Sequence, residues 1–266
     1  MIVYAAITPH PPLSIPAIGG DNLRFIDTTV TSIKKIIEDL IEAHPQVILL
    51  LSPHGPLLEE RFTLNQAEQF SVQFKEFGDL ETSLTVRPDT SHIHHYKELL
   101  EATHPISLQT APELDHGCGV PLYYLRQALG KKTMLPIVPV YPAARLDAHK
   151  HFLLGKSLQD DIINDTKRIA IIASGDLSHR LSEDAPAGYS HWATKFDETV
   201  KGHLLSGNAK GLYELDQDFI DEAGECGLKP MLMLLGIIDN LSAPPQFISY
   251  EAPFGVGYLA INYKLI

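Results

Sequence analysis

Cysteine is scarce in this chain: two, Cys118 and Cys226, among 266 residues. Two thiols cannot build a disulfide framework and suit a reducing compartment, so a cytoplasmic protein is expected. Long apolar runs are missing as well. The longest, such as VILLL at 47–51, have strand length. They fall far short of the roughly 20 residues that cross a bilayer, and the first residues lack the charged start and apolar core of a signal peptide. Basic side chains are in deficit, 21 against 33 acidic ones, giving a formal net charge of −12. With no compensating Lys/Arg block, neither a nucleic acid nor a membrane surface is expected as partner.

What is present is a regular alternation. Short apolar runs (IVYAAI at 2–7, VILLLS at 47–52, MLPIVPVY at 134–141, RIAIIAS at 168–174) are separated by amphipathic stretches. That order predicts strands of a largely parallel sheet joined by helices. From Asn22 to His44 apolar residues recur at spacings of three and four, one buried helix face ending before Pro45. FTLNQ (62–66) and SVQFKEF (71–77) alternate and read as antiparallel strands, VPLYYLRQAL (120–129) as a helix, and MLMLLGIIDNL (231–241) as an apolar helix with Pro230 in its first turn. FISYE and GVGYLAINYKL close the chain as strands. No repeat or Gly/Ser linker interrupts the pattern. The expectation is α/β: a single three-layer α/β/α domain over 1–266 with a central, mostly parallel, mixed sheet.

In such folds ligands bind beyond the carboxyl ends of the strands. Four histidines stand there: His10 in TPHPP, His54 in SPHGP, His116 in ELDHGCGVPL, and His179 in SGDLSH. One histidine after a strand is usually an ordinary loop residue; four in four such loops form a pattern. Prolines around His10 and before His54 restrict the backbone that aims each ring, as a metal site demands. Two imidazoles, a carboxylate and open positions make the facial triad of non-heme Fe(II) enzymes. Candidate third ligands are Glu222, Glu225 and Cys226, in a turn before the apolar helix, and Glu251 at a strand end. Asp115 and Asp176 would serve a zinc hydrolase as ligand or base. Among the other histidines, His92, His94 and His95 read as a solvated helix start, and His149 and His151 as opposite sides of a helix.

Taken in order, H-P-P, S-P-H-G, D-H-G-x-x-V-P-L, S-G-D-L-S-H and E-C-G-x-K-P resemble the class III extradiol ring-cleavage dioxygenase superfamily, which includes protocatechuate 4,5-dioxygenase catalytic subunits and shares its fold with the Memo proteins. The resemblance spans residues 8 to about 236. It implies that His10 and His54 bind iron, that His179 is the acid/base, and that His116 contacts substrate oxygens. The carboxylate ligand matches Glu225, although Memo proteins carry a cysteine in a C-G-x-x-P context like that of Cys226. The implied activity is Fe(II)-dependent opening of a catechol or aminophenol ring with O2, with zinc possible in the purified protein. The alternatives are a Memo-like metal- or peptide-binding protein without ring-opening turnover and, less favoured, a zinc hydrolase. The implied partners are a small aromatic substrate and O2, with a homo-oligomer or a small partner subunit.

Overall fold

The computed structural model describes residues 1–265; the final residue of the domain expected over 1–266 lies outside them. The strands are β1 (Ile2–Thr8), β2 (Val47–Leu51), β3 (Phe62–Gln66), β4 (Phe70–Phe74), β5 (Asp79–Val86), β6 (Ile106–Thr110), β7 (Glu113–Leu114), β8 (Ile137–Tyr141), β9 (Ile169–Ser174), β10 (Pro245–Glu251) and β11 (Tyr258–Tyr263). The helices are α1 (Pro16–Gly19), α2 (Asp27–Glu42), α3 (Thr90–Glu101), α4 (His116–Leu129), α5 (Ala148–Asn164), α6 (Ala193–Leu205), α7 (Ala209–Tyr213), α8 (Gln217–Ala223) and α9 (Leu228–Ile237).

Eight strands form one mixed sheet in the order β10-β11-β1-β9-β2-β8-β3-β6. Its centre, β1-β9-β2-β8, is parallel, so the carboxyl ends of these four strands share one edge. Every residue of β2, β8 and β9 is buried, as strands covered on both faces should be. Alternation along β1 splits the core into two layers: Ala5 and Ile7 pack with α3, α5 and α9, whereas Tyr4 and Ala6 pack with α2 and α4. The α5–α9 contact is close because both helices offer glycine. A Cβ on Gly155 would lie 1.9 Å from the Met233 carbonyl oxygen, and one on Gly236 2.0 Å from that of Phe152. None of the described helices is long and apolar enough to cross a membrane.

Several expectations need correction. FTLNQ and SVQF each have an antiparallel neighbour, as expected, but in different sheets: β3 joins the large sheet, antiparallel to β8 and parallel to β6, while β4 pairs antiparallel with β5 and parallel with β7 in a separate three-stranded sheet. The helix read from Asn22 begins as a 3-10 segment, Gly20–Phe25, and turns α-helical at Asp27. There Glu251 supplies the cap: one of its carboxylate oxygens accepts the Thr29 N–H at 2.6 Å and the Thr29 hydroxyl at 2.5 Å. That is a helix-capping role, the kind a buried acceptor performs at orphan amides. Helix α4 starts at His116 rather than at 120, capped by Asp115, which accepts the Cys118 N–H at 3.1 Å. His92 is not solvated; it is buried between Asp89 (3.1 Å) and Asp165 (2.7 Å), while His94 and His95 are exposed. His151 is buried and His149 exposed, as helical spacing requires.

Candidate metal centre

Strands β1 and β2 flank β9, so the loops after them meet above it. His10, 1% exposed, and His54 bring their Nε2 atoms to 3.2 Å. Cys226 Sγ lies 3.6 Å from His10 Nε2. Among the described residues these three form the group that could hold a metal ion, with donor atoms all within 4.8 Å of one another. For metal–nitrogen bonds of about 2.05 Å and a metal–sulfur bond of about 2.3 Å, tetrahedral geometry separates two nitrogens by about 3.3 Å and a nitrogen from the sulfur by about 3.6 Å. The two spacings to His10 match, and the third, His54 to Cys226, lies within 4.8 Å, so the donor set fits a first-row divalent ion.

The site is built by its surroundings. Ser174, the last residue of β9, donates its hydroxyl proton to the Gly117 carbonyl at 2.6 Å. It is therefore an acceptor toward His10 Nδ1, 2.9 Å away. His10 must carry its proton on Nδ1, which leaves the Nε2 lone pair facing His54 and Cys226. This is the outer-shell contact that fixes a metal-binding tautomer. Asp176 accepts the His10 N–H at 2.9 Å and, through its own N–H, contacts Cys226 Sγ at 3.3 Å. Its carbonyl accepts the Gly227 N–H at 2.9 Å. The turn carrying Cys226 gets this near because Gly175 meets Gly227: a Cβ on Gly175 would be 2.2 Å from Gly227 Cα.

His116, at the start of α4, stacks on His54 with ring centroids 4.4 Å apart and approaches His10 edge-on at 5.2 Å. Phe77 also meets it edge-on, at 5.1 Å. His179 follows β9 by five residues and is half-buried. Desolvation inside the cluster keeps the whole set neutral, even at surface-exposed His54. Repulsion among the imidazoles helps, while Asp115 pulls His54 and His116 the other way and backbone groups do so for His179. Desolvation holds His10 well below the ordinary imidazole range, takes His54 to about 4, and lowers His116 and His179. The 3.8 Å approach of Asp176 to His10 Nε2 is thus no ion pair. Burial pushes the Cys226 thiol well up, with Asp176 and Glu225 adding to it.

Of the residues expected at the site, His10, His54, His116 and His179 do converge. Glu225 does not join the cluster: its carboxylate accepts the Leu228 N–H at 2.6 Å and caps α9. Cys226, one residue on, takes the third position because adjacent residues in a turn point to different sides. Glu222 is exposed and accepts from Ser190 Oγ at 3.1 Å. Ser174 was not anticipated from sequence; a serine ending a strand signals nothing until β9 is known to lie beside β1. Nor was the wall made by β4 and β7. With Gln73, Lys75, Glu76 and Glu113 it borders a cavity of about 480 Å³ that His54 also lines, a size suited to a small molecule. A larger groove of about 580 Å³, between α2 and α4, touches none of the four histidines.

A family model described as the catalytic LigB subunit of aromatic ring-opening dioxygenase matches residues 4–260. The chain belongs to the LigB family. This LigB-family chain is 32% identical over 262 residues to protein CA_C1420 of Clostridium acetobutylicum, covering 95% of its own length and 55% of that relative's. It thus spans about half the length of the curated relative it matches. A crystal structure of the uncharacterized protein JW3007 from Escherichia coli K12 superposes with a TM-score of 0.65 at 21% identity, over 98% of this chain and 99% of that one. That likeness shows the shared fold.

Proposed function

We propose that this LigB-family chain is a metal-dependent enzyme that opens the ring of a small aromatic diol or aminophenol with O2, its metal held by His10, His54 and Cys226. The observation that carries the reading is the convergence of three donors, at spacings that suit one ion, beneath two further neutral histidines. A bound divalent ion would supply Lewis acidity, lowering the pKa of a diol's hydroxyls, and Fe(II) would add electrons for O2. The chain's own residues do the rest. His179, kept neutral by burial, is ready to take a hydroxyl proton and to return it when the ring opens. His116 sits against His54, where its ring can hydrogen-bond a diol oxygen, and Phe77 fixes its plane. The cavity between His54 and the small sheet receives the ring.

One observation favours a second reading. A thiolate in place of the carboxylate suits zinc or copper as well as iron, and it is the donor the Memo-like pattern carries. In that reading the chain binds metal tightly and opens no catechol. Anaerobic reconstitution with Fe(II), Zn(II) or copper, followed by a catechol and aminophenol panel watched for coloured ring-fission products, separates the two. The first reading expects product with Fe(II), abolished in His179→Ala with the metal retained. Tight one-to-one metal binding with no product from any substrate would leave the second.

A further inference from the structure

The loop that carries His179 is tied down from a distant part of the chain. Asp197, in α6, is 1% exposed. One of its carboxylate oxygens accepts the Ser178 N–H at 2.9 Å, and the other accepts the Tyr250 hydroxyl at 2.7 Å. Opposite, the Leu177 N–H donates to the Gly257 carbonyl at 2.8 Å, and the Gly257 N–H donates to the Ser178 carbonyl at 2.9 Å. A side chain at 257 would destroy the arrangement, since a Cβ there would stand 2.0 Å from the second Asp197 oxygen. Ser178 Oγ adds a bond to the Ala223 carbonyl at 2.7 Å.

No side chain supports the His179 ring in the same way. Its Nδ1 is buried with no side chain bonded to it, and the polar groups that touch the ring are main-chain ones, at Leu177 and Gly224, whereas Ser174 orients His10. No side chain aims the imidazole, so the main chain at 177–179 must. That main chain is held by Gly257 and Ala223 and, from a side chain, by Asp197.

We propose that Asp197 is a positioning residue for His179: by gripping the Ser178 amide it keeps the neighbouring imidazole turned toward His10 and His54. A carboxylate is an expensive way to fill a core, and an apolar side chain would pack there without the desolvation penalty. Burial raises the Asp197 pKa to about 6, while Tyr250, the Ser178 amide and Lys201 act the other way. The charged groups facing Asp197 are Lys201 on its own helix and Glu225 in the turn before α9; the titratable groups facing His179 are His10, His54 and His116. The proposal rests on the reading of His179 as the proton carrier, yet its test does not require turnover.

The experiment uses metal-free full-length protein labelled at histidine Cε1, with the His179 cross-peak assigned by its loss in His179→Ala. Asp197→Ala is expected to shift and broaden that cross-peak. Asp197→Asn, whose amide oxygen can still accept from Ser178, largely restores it. Zn(II) affinity, set by His10, His54 and Cys226, stays at the wild-type value in both. An unmoved cross-peak in Asp197→Ala, or a Zn(II) affinity that falls in parallel with the shift, overturns the proposal. If Asp197→Ala does not fold, Tyr250→Phe replaces it: it frees one carboxylate oxygen and must move the same cross-peak, and a stationary peak again overturns the assignment. With a turned-over diol, Asp197→Ala should lower kcat by about tenfold or more at little-changed KM, as misplaced groups do, with recovery in Asp197→Asn. A wild type that turns over no diol defeats the function reading and leaves the cross-peak to judge Asp197.

Discussion

Ser174→Ala is the sharpest single-atom perturbation of the metal centre. The hydroxyl is fully buried and serves two partners, donating to the Gly117 carbonyl at 2.6 Å and accepting from His10 Nδ1 at 2.9 Å. Its removal strands a buried acceptor and a buried donor. Each costs about 1–3 kcal/mol, and because the pair shares one oxygen the combined loss should be about 2–4 kcal/mol. For a chain of this size that lowers Tm by about 5–12 °C. The second effect concerns metal. Without the serine, His10 is free to place its proton on Nε2, the atom that faces His54 and Cys226, and losing such an outer-shell contact typically weakens binding about 10–100-fold. Differential scanning calorimetry of the metal-free variant and competitive Zn(II) titration read the two effects separately. A Ser174→Ala protein that loses the expected stability yet binds Zn(II) as tightly as wild type would refute the tautomer argument. One that binds more weakly without loss of stability would refute the burial argument.

Three further outcomes follow from the same geometry. Both imidazole ligands are held below their ordinary range, His54 at about 4, while the Cys226 thiol is raised. Near pH 7 the rings are therefore already neutral and the thiol protonated, so binding one divalent ion should release about one proton and affinity should rise about tenfold per pH unit. Calorimetry in buffers of different ionisation enthalpy counts that proton, and a count near zero or above two would contradict the assignment. Gly175→Ala would set a Cβ 2.2 Å from Gly227 Cα, backbone against backbone. It should cost about 1–3 kcal/mol or more and weaken metal binding through the displaced Cys226 turn; wild-type behaviour in both would show the approach to be dispensable. His179→Ala should leave Zn(II) affinity unchanged, because the ring is no ligand, and a variant that loses its metal would move His179 into the ligand set.

Much of the fold was legible because the central strands carry the signature of burial on both faces: VILLL and IAIIAS are apolar throughout. The histidines were legible for the same reason, each following such a strand or, for His116, opening a helix. What stayed hidden depended on long-range partners. β5 alternates weakly, with Leu80 exposed, and exists because β4 pairs with it. The start of α4 runs through Gly117, Gly119 and Pro121, poor helix formers that an Asp115 cap and dense packing override. His92 looked solvated in SHIHH, yet two aspartates, one of them 73 residues away, enclose it. The choice between Glu225 and Cys226 was the hardest, because a one-residue step around a turn reverses which side chain faces His10; the Glu225–Leu228 bond and the approach of Cys226 to His10 decide it.

The central claim is that sulfur from Cys226, rather than oxygen from Glu225, completes the metal site with His10 and His54. Co(II) substitution tests it most directly, through the sulfur-to-cobalt charge-transfer absorption in the near ultraviolet. The account predicts that band in wild type and in Glu225→Gln, and its loss in Cys226→Ser. A wild-type Co(II) complex without the band, together with a Glu225→Gln variant that no longer binds Co(II), would contradict it.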